Sequence, residues 1–249
     1  MSVNKRIHED AMGAFDDLAA SALRAARPDE RGKLIGSLVG SGKRVLDVGC
    51  GYGLTMSYLR SLGNETVGLE ITNGFVEICR RFGFSVHQID VENDPLPPDL
   101  GTFDVIMCME ILEHLMDPLL VLREKVKPAL KPDGMLVVTV PNGAYLKDRL
   151  TLLFGNAPTF GSGTHLLPYR PYNLDHKTIF TVSGLRKTIA MAGFEIQTLE
   201  PTPGYVPGVV ARSGTARVWN FLAAIRPEMF ARDLMCIARP AAERGVRRR

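Results

Sequence analysis

One stretch constrains this chain more than any other: Val45-Leu46-Asp47-Val48-Gly49-Cys50-Gly51-Tyr52-Gly53. Apolar residues around a single acid end abruptly in glycines at every second position. The first half reads as a buried parallel strand, the second as a tight turn in which a ligand can approach bare backbone. Leu54, Tyr58, Leu59 and Leu62 follow at helical spacing, so the unit is strand, glycine turn, helix. Such a unit places a nucleotide-type cofactor at the carboxyl end of the first strand of an open α/β sheet. A dinucleotide loop needs G-x-G-x-x-G, which seats a pyrophosphate on the helix N-terminus. Here the third glycine comes one residue early, at Gly53, and Leu54 stands where the dinucleotide glycine belongs.

The G-x-G-x-G spacing, with Asp47 two residues ahead, resembles the first motif of the class I S-adenosylmethionine-dependent methyltransferases. In that family the turn lies under the methionine part of the cofactor, where no phosphate needs cradling. The resemblance assigns Asp47, Gly49, Cys50, Gly51 and Gly53 to S-adenosyl-L-methionine. Thr66 to Ile71 is a second apolar strand ending in an acid, and Glu70 lies 21 residues after Gly49. An acid at that offset meets ribose hydroxyls, each charged hydrogen bond being worth roughly 1.5–3 kcal/mol. Ile71 follows it on the cofactor's edge. A third strand, Ser85 to Ile89, ends at Asp90. The resemblance gives Asp90 the adenine amino group and the Val91 backbone the side of the ring.

Phe103 to Met109 reads as the fourth strand, running into Glu110-Ile111-Leu112-Glu113-His114. Met109 and Glu110 then fall at the methionine end of the cofactor. Asp117 is an N-cap and Pro118 a first helical residue. Leu119, Leu122, Val126 and Leu130 mark a helix that Lys131-Pro132-Asp133-Gly134 stops, and Met135 to Val140 is the fifth strand. This order is similar to the small-molecule branch of the family, especially the ubiquinone-type O-methyltransferases and relatives acting on sugars and natural products. Thr181 caps a helix through Val182, Leu185, Ile189 and Ala192, with Gly193 as its αL stop. Phe194 to Leu199, a helical stretch from Val218 to Ile225, and Leu234 to Ala238 complete the pattern. The implied fold is α/β: a Rossmann-like seven-stranded, mostly parallel sheet in the order 3-2-1-4-5-7-6. Its last strand is antiparallel, and helices lie on both faces.

The length of 249 residues suits a single methyltransferase domain. Residues 1–40 read as an N-terminal helical cover, with Ile7, Ala11, Phe15, Leu18 and Ala22 on one face and a second helix after Pro28. Residues 43–140 form the cofactor core, 141–180 a lid insertion after strand five, 181–240 the C-terminal helix and strands, and 241–249 a basic tail. The insertion far exceeds the usual connection of about 2–6 residues, and long loops in compact domains are usually functional. It opens with a short helix whose Leu146, Leu150, Leu153 and Phe154 share a face. Tyr145, Arg149, Tyr169, Arg170 and Tyr172 are its candidate acceptor residues.

Methyl transfer from a sulfonium is an in-line displacement, governed by proximity and orientation. A hydroxyl acceptor must also lose a proton, which suits a histidine. His114 leads as the base, with His176 second and His165 third; Glu110 and Glu113 are placed to orient a histidine. His87 sits inside a strand and reads as structural. No metal is expected, because the acidic run Asp90, Glu92, Asn93, Asp94 lies at the adenine end. The net charge of +3 is concentrated in Arg244, Arg247, Arg248 and Arg249, and the near-neutral remainder argues against nucleic acid as a partner. The start is no signal peptide, and no run approaches the ~18 apolar residues of a membrane span. The four cysteines lack C-x-x-C spacing and fit a reducing cytoplasm. A small-molecule acceptor is the expected partner, and a homodimer stays open. N-methylation is the near alternative. A second is a non-catalytic cofactor-binding accessory protein, because Pro141-Asn142, Arg149-Leu150 and Gly155-Asn156-Ala157-Pro158 loosely resemble those of methionine biosynthesis. Leu54 disfavours a dehydrogenase, and no acidic amine site marks an aminopropyltransferase.

Overall fold

A computed structural model describes residues 30–156, 176–202 and 216–242. The strands order as β3-β2-β1-β4-β5-β7-β6 in a seven-stranded sheet, as the glycine motif and its downstream partners imply. The chain divides into two compact units between Asp90 and Val91.

In the first unit, α1 (Glu30–Val39) precedes β1 (Arg44–Val48), α2 (Leu54–Ser61), β2 (Glu65–Glu70), α3 (Asn73–Arg81) and β3 (Ser85–Gln88). β1 pairs in parallel with β2, Asp47 opposite Gly68, and β2 pairs in parallel with β3, Glu70 opposite Gln88. Beyond their first residues β1 and β2 are buried throughout, Asp47 and Glu70 included, as parallel strands covered on both faces are. Met56 of α2, Val76, Ile78 and Cys79 of α3, and Phe84, Val86 and Cys50 close one core cluster over the sheet. Gly68 is necessary there: a Cβ on it would stand 2.5 Å from the Cys50 sulfur.

The second unit is built on β4 (Phe103–Met109), β5 (Leu130–Pro141), β6 (Phe194–Pro201) and β7 (Asp233–Pro240). β4 and β5 are parallel, whereas β7 runs antiparallel to both β5 and β6. Asp117 caps α4 (Pro118–Val121) by accepting from the Leu120 amide at 2.9 Å. Thr181 caps α7 (Val182–Met191) through the Gly184 amide at 3.0 Å, and Gly193 follows with φ of 84°. Between these lie α5 (Lys127–Ala129) and α6 (Leu146–Leu153); α8 (Ala216–Ile225) and α9 (Pro227–Phe230) precede β7.

The helix expected from Pro118 to Leu130 is not uniform. A π-helical segment, Leu122–Val126, separates α4 from α5. Pro128 has no N–H to give the carbonyl one turn back, and the widened turn lies just ahead of it. Leu130 is already in β5, opposite Phe103, so Lys131 to Gly134 extends the strand rather than preceding it. Among the described residues no helix is long and apolar enough to cross a membrane.

The exit of β5 is fastened by one side chain. Asn142 is 1% exposed; its Nδ2 donates to the carbonyls of Ala231 (2.8 Å) and Pro227 (3.1 Å), and its Oδ1 accepts from the Ala144 amide (3.1 Å). Asn142→Ala orphans these groups and should lower unfolding stability by about 1–3 kcal/mol, read as a shifted urea midpoint at unchanged slope.

Candidate functional site

The first unit presents the glycine turn. Gly49, Gly51 and Gly53 have φ of 74°, 53° and 84°, so all three stand in the left-handed region that glycine alone enters cheaply. The turn is laid onto β2: the Gly49 and Cys50 amides both donate to the Leu69 carbonyl, at 2.8 and 3.1 Å. Next along β2, the Glu70 carboxylate is clamped at both ends. Oε2 accepts from the Gly51 amide at 2.9 Å, and Oε1 accepts from the Thr72 amide at 2.8 Å. Glu70 therefore fixes the turn and the entry of α3 together while only 7% exposed. Each oxygen keeps a further lone pair for an incoming hydroxyl. This internal role is not signalled by the sequence, which predicts only the ribose contact.

Asp47, 3% exposed, sits at the end of β1. Burial, reinforced by the neighbouring Glu70 charge, pushes its carboxyl up to about 7, with Arg31 opposing. Ile71 is largely exposed, and Asp90 is half-buried beyond β3. Tyr52 of the turn lies tilted against Phe75 of α3, ring centroids 6.3 Å apart. Sequence reasoning gave neither ring a role.

In the second unit, Met109 ends β4 and Glu110 follows with φ of 53°. Glu110 is the one non-glycine among the described residues at positive φ, a conformation costing roughly 1–2 kcal/mol. The chain then turns through a 3-10 segment, Leu112–His114. Glu113 is 2% exposed, and neither of its carboxylate oxygens has a hydrogen-bond partner. Burial, with the Glu110 charge beside it, pushes this carboxyl up to about 8. The His114 Nε2 stands 3.8 Å from the Glu113 Oε1, beyond hydrogen-bond reach, and the His114 ring meets His176 edge-on at 4.9 Å between centroids. Ligand atoms of Glu113, His114 and His176 all fall within 4.8 Å of one another, a spacing that fits a cation.

Backbone bonds draw His176 to this turn. The Lys177 and Thr178 amides donate to the Glu113 carbonyl at 2.8 and 3.0 Å, and the Thr178 hydroxyl donates to the Leu115 carbonyl at 3.0 Å. On its far side the segment is held by the Gly143 amide, which donates to the Phe180 carbonyl at 2.7 Å. The two leading histidines are thus brought together, although sequence spacing alone could not say so. Tyr145 and Arg149 are committed locally. Tyr145 is buried and meets Trp219 edge-on, and Trp219 meets Phe230 in the same way. The Arg149 guanidinium donates to the carbonyls of Ala144 (2.5 Å) and Glu228 (3.3 Å). Val91 is buried at the start of this unit. His165, Tyr169, Arg170 and Tyr172 lie outside the described residues.

The Asp47 environment predicts a pH dependence. Between the usual carboxylate range and about 7, the folded chain holds a proton that the unfolded chain has released. Stability then falls as pH rises across that window, by up to about 4 kcal/mol for this group. Asp47→Asn should remove that part of the slope when urea unfolding is followed from pH 4 to 8. An unchanged slope means that Asp47 is ionised in the native state.

A family model described as a methyltransferase domain matches residues 15–199. The ubiquinone biosynthesis O-methyltransferase of Haemophilus ducreyi is 38% identical over 110 residues, 41% of this chain and 46% of that protein. The protein of the same name from Actinobacillus pleuropneumoniae is 35% identical over 123 residues, 46% of this chain and 52% of its own. The chain therefore spans about half the length of these curated relatives. Two structures share the fold. An S-adenosylmethionine-dependent methyltransferase of Mesorhizobium loti aligns with a TM-score of 0.56 at 21% identity, covering 88% of this chain and 96% of that one. Another, from Clostridium acetobutylicum, aligns with a TM-score of 0.59 at 12% identity, covering 92% and 99%. With a glycine turn clamped by Glu70 and a family match running through most of its length, the chain belongs to the methyltransferase-domain family, in its class I, S-adenosylmethionine-dependent form.

Proposed function

We propose that this protein moves a methyl group from S-adenosyl-L-methionine to a hydroxyl of a small molecule, with a histidine as base. The observation that carries the acceptor half is the convergence of His114 and His176 over the buried Glu113. The ubiquinone-biosynthesis relatives, O-methyltransferases by name, support a hydroxyl over an amine. The cofactor supplies an electrophilic methyl on a positive sulfur. The residues of the chain then have two tasks: to hold the donor and acceptor in line, and to take one proton.

On the donor side, the bare backbone of Gly49 to Gly53 receives the methionine part. The free lone pairs of Glu70 accept from the ribose hydroxyls, Ile71 lines their edge, and Asp90 with Val91 receives the adenine. Met109 and Glu110 complete the methionine end. On the acceptor side, the hydroxyl oxygen forms its bond to the methyl carbon as the S–CH₃ bond breaks and the sulfur keeps the electron pair. The proton passes to His114, and His176 holds that ring from its edge. The same proposal reads residues 1–249 as one domain, with the cofactor core in 43–140 and the acceptor-side insertion in 141–180, and the protein as cytoplasmic and independent of nucleic acid.

A second reading is favoured by the Glu113, His114 and His176 spacing. Two imidazoles and a carboxylate are a donor set for a divalent cation, which lowers the pKa of a bound hydroxyl and replaces the histidine as base. Metal analysis of the purified protein, with turnover after chelation and re-addition of Mg²⁺ or Zn²⁺, separates the two. Metal-free protein with full activity leaves the histidine base.

Glu70→Ala should weaken S-adenosylmethionine binding by about 10- to 100-fold in calorimetry, because it removes both the ribose acceptor and the clamp on Gly51. An unchanged affinity takes Glu70 out of the donor site. His114→Ala should cut turnover by about 10²-fold or more on a panel of phenolic and other hydroxylated acceptors, with cofactor affinity close to wild type. Wild-type turnover on an accepted substrate moves the base elsewhere.

A further inference from the structure

Two thiols meet beneath the cofactor turn. Cys50 lies in the turn itself, and Cys79 lies on α3, fully buried. Both sulfurs point at one atom: the Cys79 thiol donates to the Gly51 carbonyl at 3.3 Å and the Cys50 thiol to the same carbonyl at 3.6 Å. Each sulfur lies close against a glycine. A Cβ on Gly68 would meet the Cys50 sulfur at 2.5 Å, and one on Gly53 would meet the Cys79 sulfur at 3.2 Å. The pair is therefore confined against the turn that receives the cofactor.

The geometry points to Cys50 and Cys79 as a reversible disulfide-forming pair whose oxidation by a peroxide releases the cofactor. The other two cysteines supply a contrast. Cys108 of β4 and Cys236 of β7 both stand opposite Val138 of β5, one on each side. Two strand spacings put their Cα atoms about 9–10 Å apart, past the ~7 Å limit for a disulfide. Within the second unit the two thiols cannot pair.

The chemistry balances with hydrogen peroxide as oxidant. One thiolate attacks a peroxide oxygen, giving a sulfenic acid and, with the released proton, one water. The second thiol attacks that sulfur; its proton and the departing hydroxide leave as a second water, and the S–S bond remains. Either sulfur can take the first oxidation, with the other resolving it, because both converge on the Gly51 carbonyl. The consequence for the turn is direct. A disulfide has no S–H, so the Gly51 carbonyl loses both donors at once. Closing the sulfurs to ~2.05 Å draws the turn toward α3. The amide of that same Gly51 is the one that Glu70 holds. Oxidation therefore strains the clamp that shapes the donor site, and bound cofactor in turn disfavours oxidation.

The test treats the full chain with hydrogen peroxide, with and without saturating S-adenosylmethionine. Thiols are counted, disulfides are mapped by peptide mass spectrometry, and cofactor affinity is measured before and after dithiothreitol. Two of the four thiols should be lost, the mass map should join Cys50 to Cys79, and affinity should fall at least tenfold and return on reduction. Cofactor should slow the loss. Cys79→Ala should keep peroxide from changing the affinity; if that variant does not fold, the protection by cofactor and the mapped cross-link in the unaltered chain decide. Four surviving thiols, a different pairing, or a Cys50–Cys79 bond with unchanged affinity each overturn the inference. None of these readouts needs methyl transfer or the histidine base.

Discussion

The interaction on which the first unit's glycine turn depends is the grip of one carboxylate on two backbone amides. Glu70 takes the Gly51 amide with one oxygen and the Thr72 amide with the other. The first bond sets the shape of the glycine turn, and the second starts α3 at its N-cap residue. Without a fixed acceptor, three residues at positive φ would sample many arrangements, since glycine loses more freedom on ordering than any other residue. The carboxylate converts a floppy segment into a rigid one, so the backbone is arranged before a ligand arrives. That preorganisation lowers the ordering cost of binding. The same charge has a local cost: it helps push the buried Asp47 carboxyl up to about 7.

The second unit concentrates strain and burial in one short turn. Glu110 adopts a left-handed conformation, and two residues later the chain enters a 3-10 turn that buries Glu113 without a hydrogen-bond partner. A buried carboxylate in that state favours its protonated form, as the direction of its shift records. Such features persist only where surrounding structure holds them. Here the holding is visible in the amides of Lys177 and Thr178, which close on the Glu113 carbonyl. Strain, an unsatisfied carboxylate and two histidines are thereby gathered around one short turn.

What could be read from the sequence follows from how each part is built. β4 was legible to the residue, Phe103–Met109, because a parallel strand announces itself as a near-continuous apolar run, here interrupted only by Asp104. Asp117, Thr181 and Gly193 were legible as caps because capping is chemistry between neighbours. The π-helical Leu122–Val126 was not, since apolar spacing of three and four fits either helix. Nor was the entry of Leu130 into β5, where a pairing with distant Phe103 overrode a local stop signal. Glu70 was found for its position but not for its clamp, because its partner amide lies 19 residues away and amides carry no sequence signature.

The same distinction separates the two turns. The glycine turn is built from backbone and from an acid at a strand end, and both recur at fixed spacing. The His114 turn is assembled from far-separated residues: the bond that carries Thr178, and with it His176, to that turn spans 63 residues. No local pattern encodes such a meeting; only the folded chain does. Arg149 illustrates the converse. The sequence offers it as a candidate acceptor residue, yet its guanidinium donates to the carbonyls of Ala144 and Glu228. Nε and one terminal nitrogen of this arginine are engaged by backbone carbonyls, and both bonds are charge-assisted. Two Arg149 donors thus hold α6 to its own entry and to the chain leading into β7, whereas His114 and His176 meet ring against ring.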